Sequence, residues 1–173
     1  MSALVVAAIV FVPMLIEMAI STRHERALRA LGAREPAGDV YRAMAIAYPG
    51  AFIAMIAEGM LWSAGVDAWF TAGLVVFASA KALKYWAIAS LGQRWTFRVL
   101  VPPGSTRTVG GPYRWLAHPN YLAVAGELAG VALAMHALVS GPFVVAGFGW
   151  LMLRRIDIEE DALGLTGRTS GIE

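Results

Sequence analysis

The residues of this chain best suited to chemistry lie in Gly111-Pro112-Tyr113-Arg114-Trp115-Leu116-Ala117-His118-Pro119-Asn120-Tyr121-Leu122, which sets a histidine, two tyrosines, an arginine and an asparagine between hydrophobic runs. Polar and aromatic groups beside apolar segments are costly to hold unless they bind something. Proline suits the first turn of a helix, so Pro119 predicts a helix starting near Asn120, with His118 at its N-terminus and placed to hydrogen-bond a bound group or take a proton. In Gly110-Gly111-Pro112 the glycines permit close approach of backbone to a ligand. Taken singly, each feature has an ordinary reading: a turn, a capping histidine, and interfacial anchors at Tyr113, Trp115 and Tyr121. The combination is what is specific.

A second constellation is Arg154-Arg155-Ile156-Asp157-Ile158-Glu159-Glu160-Asp161-Ala162-Leu163. If the last helix runs through it, Arg155 and Glu159 lie one turn apart on one face. That spacing serves either a solvated ion pair or a charged clamp for a zwitterionic ligand. A third set consists of ionisable groups inside apolar segments: Glu17, Glu58 and Glu127, with Lys81 and Lys84. Charges within a span read as functional groups or as mutual partners. Glu127 follows Tyr121 by six residues and so can approach the same cavity. Glu58, late in its segment, reads as a structural or interfacial group, and the two lysines as snorkelling toward the cytoplasm.

The elements that must position these residues are membrane helices. The 173 residues are 58% hydrophobic and 15% charged, against roughly 25% charged for a soluble domain, and the mean hydropathy is +0.62. The absence of cysteine excludes disulfides, thiolate metal sites and cysteine nucleophiles. Three histidines without an HExxH spacing give no expectation of a metal. Judged against the roughly 20 residues needed to span a bilayer, the sequence predicts an all-α membrane protein with spans near residues 3–20, 44–63, 69–91, 121–138 and 142–153, the last two a tight hairpin around residues 139–141. The chain is expected to form a single domain, with its ligand-binding part near residues 92–165.

Arginines 23, 26, 29, 34 and 42 follow the first span, arginines 94, 98, 107 and 114 follow the third, and arginines 154, 155 and 168 follow the last, while the short connections at residues 64–68 and 139–140 carry no basic residue. The positive-inside rule then predicts five spans, an outside N-terminus and a cytoplasmic C-terminus. Pro102-Pro103-Gly104 and Gly110-Gly111-Pro112 break the cytoplasmic loop that precedes His118.

Taken together, Leu91-Gly92-Gln93-Arg94-Trp95-Thr96-Phe97-Arg98-Val99, Gly111-Pro112-Tyr113-Arg114, His118-Pro119-Asn120-Tyr121-Leu122 and Arg155…Glu159-Glu160 resemble the isoprenylcysteine carboxyl methyltransferase and phospholipid methyltransferase superfamily. Within it they look most like bacterial members found beside type III polyketide synthases. Twelve arginines against two lysines fit a GC-rich bacterial genome, and a bacterial inner membrane is expected. The resemblance implies a multispanning enzyme that binds S-adenosylmethionine and methylates a lipophilic acceptor entering from the bilayer, whether prenylcysteine-like or a phenolic polyketide lipid. It implies cofactor contacts at Gln93, Gly111, Pro112, Tyr113, Arg114, His118, Pro119, Tyr121, Leu122, Glu159 and Glu160. Acceptor contacts are implied at Trp95, Arg98, Asn120 and Glu127, with Arg155, Glu159 and His118 catalytic. The family usually has arginine before the histidine, where this chain has Ala117, so any contact made there is either missing or supplied by Arg114 or Arg94.

Methyl transfer from a sulfonium is an in-line displacement that mainly needs positioning and exclusion of water. A carboxylate acceptor needs no base, whereas a phenol or enol must lose a proton, for which His118 is the expected base. Two other readings stay open: a nicotinamide-dependent sterol-reductase-like enzyme, which shares the His-Pro-Asn-Tyr segment but has a Lys-Tyr-Gly…Trp…Tyr tail absent here, and a non-catalytic lipid-binding protein. Nucleic acid is not an expected partner. Gly126 and Gly130 suit helix packing within or between chains.

Overall fold

The structure is a computed structural model that describes residues 2–103 and 108–162. Gly104, Arg107, Leu163 and Arg168, named above, lie outside the described residues. Among the described residues five helices, α1 (Ser2–Ala30), α2 (Tyr41–Leu61), α3 (Ala68–Leu91), α4 (Pro119–Ala134) and α5 (Ser140–Ala162), are accompanied by two 3-10 turns, Gly92–Arg94 and Gly111–Arg114. Pairing of the strand type among the described residues is a single antiparallel bridge between Arg34 and Val101.

The helices begin and end where local chemistry dictates. α1 runs ten residues beyond the expected span and stops at Gly32, whose φ of +80° suits glycine. There the Ala33 amide donates to the Leu28 carbonyl (3.0 Å) and the Gly32 amide to Arg29 (3.0 Å), the pattern of a Schellman stop. Leu28 and Ala33 close the stop by packing with Leu100. Asp67 caps α3, accepting from the Phe70 amide at 2.8 Å. Pro119 is the first residue of α4, one position before the expected start.

α4 ends at Ala134, so the α4–α5 turn falls at residues 135–139, earlier than the expected hairpin tip. The Glu58 carboxylate accepts from the Val139 amide (2.9 Å), the Ser140 amide (2.7 Å) and the Ser140 hydroxyl (2.5 Å). It thereby supplies from α2 the acceptors that the first turn of α5 lacks, a structural role in line with its sequence reading.

Among the described residues, three helices are long and apolar enough to cross a membrane: Ala3–Ala30, Tyr41–Leu61 and Ala68–Arg94. α4, with 16 residues, is about 24 Å long against a hydrocarbon core of about 30 Å. Leu15, Ile16, Ile53 and Val75 are all more than half exposed, the outward apolar surface that lipid accommodates. Inside, Phe52, Met55, Leu128, Val131 and Met135 form the core. α3 and α4 make the most extensive helix pair, and glycine makes it possible. A Cβ on Gly130 would stand 2.7 Å from the Phe77 nitrogen, and one on Gly73 2.4 Å from the Ala134 nitrogen. Gly126 meets Ala80 in the same seam, so these small residues serve packing within the chain.

Candidate active site

The helix start at Pro119 and the continuation of α5 to Ala162 bring the two polar constellations together. Tyr121, in the first turn of α4, donates its hydroxyl to Glu159 Oε2 at 2.8 Å. His118 Nε2 lies 3.0 Å from Glu160 Oε1, and the His118 and Tyr121 rings are 5.5 Å apart. Arg155, 6% exposed, donates from Nε to the Tyr121 hydroxyl at 3.1 Å and from Nη2 to the Phe97 carbonyl. Its Nη1 is 3.6 Å from Asp39 Oδ1. The arginine expected to meet a ligand carboxylate therefore already has a carboxylate partner in the chain.

Phe97, His118, Tyr121, Arg155 and Glu159 border a cavity of about 460 Å³, within the size range of small-molecule sites. Its polar wall includes Arg94, Trp95, Arg98, Tyr113, His118, Asn120, Tyr121, Arg155 and Glu159. Its other wall is apolar, with Phe11, Met14, Leu15 and Met18 from α1, Met44, Ala45 and Pro49 from α2, and Phe148 from α5. Tyr41 and Tyr48 from α2 and Lys84 from α3 add polar groups to the lining.

The loop that roofs the cavity is tied to α1 and to the α1–α2 connection. His24 Nδ1 lies 2.8 Å from the Trp95 carbonyl, and the Phe97 amide donates to the Ser21 hydroxyl at 2.8 Å. Arg98 donates to Glu35 at 2.6 Å, lies 3.4 Å from Glu25 and stacks over Tyr41 at 4.2 Å. Trp95 Nε1 donates to Asn120 at 3.4 Å. Burial opposes the Glu35 carboxylate, but the hydrogen bonds from Arg29 and Arg98 outweigh it and hold its pKa below the ordinary value. Burial first, and the Glu159 charge second, push the Tyr113 hydroxyl well above its ordinary pKa, so Tyr113 is neutral at physiological pH.

Of the residues expected from sequence, Trp95, Arg98, Tyr113, His118, Asn120, Tyr121, Arg155 and Glu159 meet at the cavity. Gln93, Gly111, Pro112, Arg114, Pro119, Leu122, Glu127 and Glu160 are not among its lining residues. Glu160 reaches the wall through His118. Gly111, at φ +57°, holds the turn against α3, where a Cβ would lie 1.9 Å from the Ser90 hydroxyl. Pro112 and Pro119 are buried, and Leu122 is 52% exposed. Arg114 sits over Trp115 at 5.4 Å, so of the two arginines considered for the place of Ala117, Arg94 is the one at the cavity.

Glu127 belongs to a buried quartet. Lys81 Nζ is 2.6 Å from Glu17 and 3.1 Å from Glu127; Lys84 Nζ is 2.7 Å from Glu17 and 3.4 Å from Glu127. The lysines do not snorkel, because each finds carboxylates inside the bundle. Sequence reasoning also missed Asp39 and Tyr48. Asp39 had a weak local signal, an acid just ahead of α2 whose Oδ1 accepts from the Tyr41 amide at 3.1 Å, whereas nothing local distinguishes Tyr48.

A family model described as "Isoprenylcysteine carboxyl methyltransferase (ICMT) family" matches residues 71–164, a range that takes in α3, α4, α5 and the polar wall between them. The chain belongs to the ICMT family. This makes it, in general terms, a membrane methyltransferase. The ICMT-family chain is also similar to the Bacillus subtilis (strain 168) protein "Uncharacterized protein YpbQ", 31% identical over 90% of this chain and 93% of that one. A second relative, an "Uncharacterized protein" of Haemophilus influenzae, is 26% identical over 84% of this chain and 86% of its own length. No solved structure matches significantly.

Proposed function

We propose that this protein transfers a methyl group from S-adenosylmethionine to an oxygen, hydroxyl or carboxyl, of a lipophilic acceptor drawn from the bilayer. The observation that carries the reading is a cavity lined by both polar and apolar groups. The donor set suits a cationic sulfonium cofactor. Glu159 offers a carboxylate for an ammonium or ribose hydroxyls, and Tyr113, His118 and Tyr121 offer ring surfaces to an adenine and a cation. Arg155 holds Tyr121, the Phe97 carbonyl and Asp39 in one arrangement, and so fixes the wall on which Glu159 stands. When bound, S-adenosylmethionine supplies an electrophilic methyl group. The chain's own work is to orient donor and acceptor and to exclude water, which the roof of residues 95–101 and the methionine-rich apolar wall are built to do. The apolar lining offers a surface for the chain of a prenylcysteine-like or a phenolic polyketide lipid.

In the same reading α4 and α5 complete a five-helix crossing of a bacterial inner membrane with the N-terminus outside. The basic residues that follow α1, α3 and α5 support this orientation. Calorimetry on detergent-purified protein tests the cofactor: S-adenosylhomocysteine is expected to bind and NADPH not to. Binding of NADPH alone would refute methyl transfer in favour of a reductase, and binding of neither would favour a lipid-binding protein.

A further inference from the structure

Stability does not account for the charges in the middle of the bundle. Glu17, Lys84, Glu127 and Lys81 are between 0% and 8% exposed, and a buried ion cluster of this kind is commonly no more stabilising than apolar side chains of the same volume. Its position is informative. Tyr48 and Lys84 line the cavity together with the apolar residues of α1 and α2. The Tyr48 hydroxyl donates to Glu127 Oε2, and Lys84 lies over the Tyr48 ring at 5.4 Å. The Tyr48 ring is fixed by Phe52 at 4.9 Å and Phe148 at 5.3 Å. Six residues of α4, about 9 Å of rise, separate Tyr121 at the polar wall from Glu127, roughly one small aromatic group. His118, the base expected from sequence, has Nε2 engaged with Glu160.

We infer that Tyr48 takes the proton of a hydroxyl acceptor and relays it to Glu127, making the Tyr48–Glu127 pair the proton acceptor of the reaction. This inference rests on the methyl-transfer reading and deepens it. The acceptor O–H bond breaks as its proton passes to the Tyr48 oxygen, while the Tyr48 proton passes to Glu127 Oε2. The acceptor oxygen forms its bond to the methyl carbon, and the carbon–sulfur bond breaks with its electron pair left on sulfur. Charge is conserved within the cavity: the sulfonium charge disappears as the cluster gains one proton. The groups facing the pair are Glu17 from α1 and Lys81, Lys84 and Tyr85 from α3. Two lysines against two carboxylates leave the quartet neutral before the step, and Lys84 puts positive charge beside the oxygen that becomes negative.

The test is the Tyr48→Phe variant, which keeps the ring packing, assayed as full-length protein on long-chain phenols graded in acidity by ring substituents. On the least acidic phenol kcat/KM is expected to fall about 100-fold or more, the usual contribution of a positioned base. The deficit should shrink toward nothing on a long-chain nitrophenol already ionised at the assay pH. Affinity for S-adenosylhomocysteine should stay within about twofold, because Tyr48 stands apart from the polar wall. A deficit of equal size across the series would reduce Tyr48 to a packing role and overturn the inference. So would a full rate on every phenol, an acidity trend in His118→Ala instead, or a wild-type protein that methylates only carboxylates. Failure of the wild type to bind S-adenosylhomocysteine is a separate outcome, which overturns the methyl-transfer reading and the relay with it.

Discussion

Neutralising single members of the buried quartet should be far more damaging than removing a matched pair. Glu17 is fully buried and reaches Lys81 at 2.6 Å and Lys84 at 2.7 Å. Glu17→Gln leaves two ammonium groups facing one carboxylate, and Lys81→Met leaves two carboxylates facing one ammonium. Either variant strands a net unit charge among residues no more than 8% exposed. Breaking a buried pair in this way costs about 3–5 kcal/mol, which for a chain of this length is roughly 6–20 °C in Tm. In Glu17→Gln/Lys81→Met the remaining Lys84 and Glu127, 3.4 Å apart, are again neutral together. The double variant should therefore come back to within about 1 kcal/mol of wild type, a coupling of about 5–10 kcal/mol in a double-mutant cycle. It should also keep the Tyr48–Glu127 hydrogen bond. Thermal and denaturant unfolding of the four proteins in one detergent at pH 7 measures this. Two results would refute the reasoning. Single variants losing less than about 1 kcal/mol would mean that water reaches and screens the cluster. A double variant losing the sum of the singles would mean that the side chains stabilise by packing and not by charge.

Two further outcomes follow from the loops. Gly111→Ala puts a Cβ 1.9 Å from the Ser90 hydroxyl at a φ of +57°, a conformation that alone costs an L-residue about 1–2 kcal/mol. The turn carrying Tyr113 must then shift, so S-adenosylhomocysteine affinity measured by calorimetry should drop about tenfold or more, and unchanged affinity would show that the turn is not coupled to the cavity. Because the Glu35 pKa is lowered in the folded state, its ion pairs with Arg29 and Arg98 contribute fully above the unfolded-state pKa and are lost as pH falls through the folded value. Wild type should therefore lose Tm faster than Glu35→Gln below about pH 4, and parallel acid limbs would contradict this sign.

Much of the site was legible because it is encoded locally. Pro119 announces the start of α4, and the helical spacing of Arg155 and Glu159 holds because α5 runs unbroken to Ala162. Helix ends were less legible. The ten extra residues of α1 are set by the stop at Gly32 and Ala33, and the α4–α5 turn is set by Glu58, a residue from a different helix. Hydropathy, which averages over a window, registers neither.

By itself the sequence determined that apolar segments are joined in turn by arginine-rich and arginine-free loops, and that the Gly111–Leu122 and Arg155–Glu160 motifs carry the polar chemistry. Those properties depend on side chains within a few turns of one another. Only the tertiary structure decided which charges meet. Lys81 finds Glu17 across 64 residues, Tyr48 finds Glu127 across 79, and Arg155 finds Asp39 from the α1–α2 connection. No periodicity in the chain encodes those pairs. The contacts of Lys81 and Lys84 with Glu127 exist because Gly73, Gly126 and Gly130 let α3 and α4 approach until their backbones nearly touch. At that distance the cost of burying an unpaired charge dictates which carboxylate faces which ammonium.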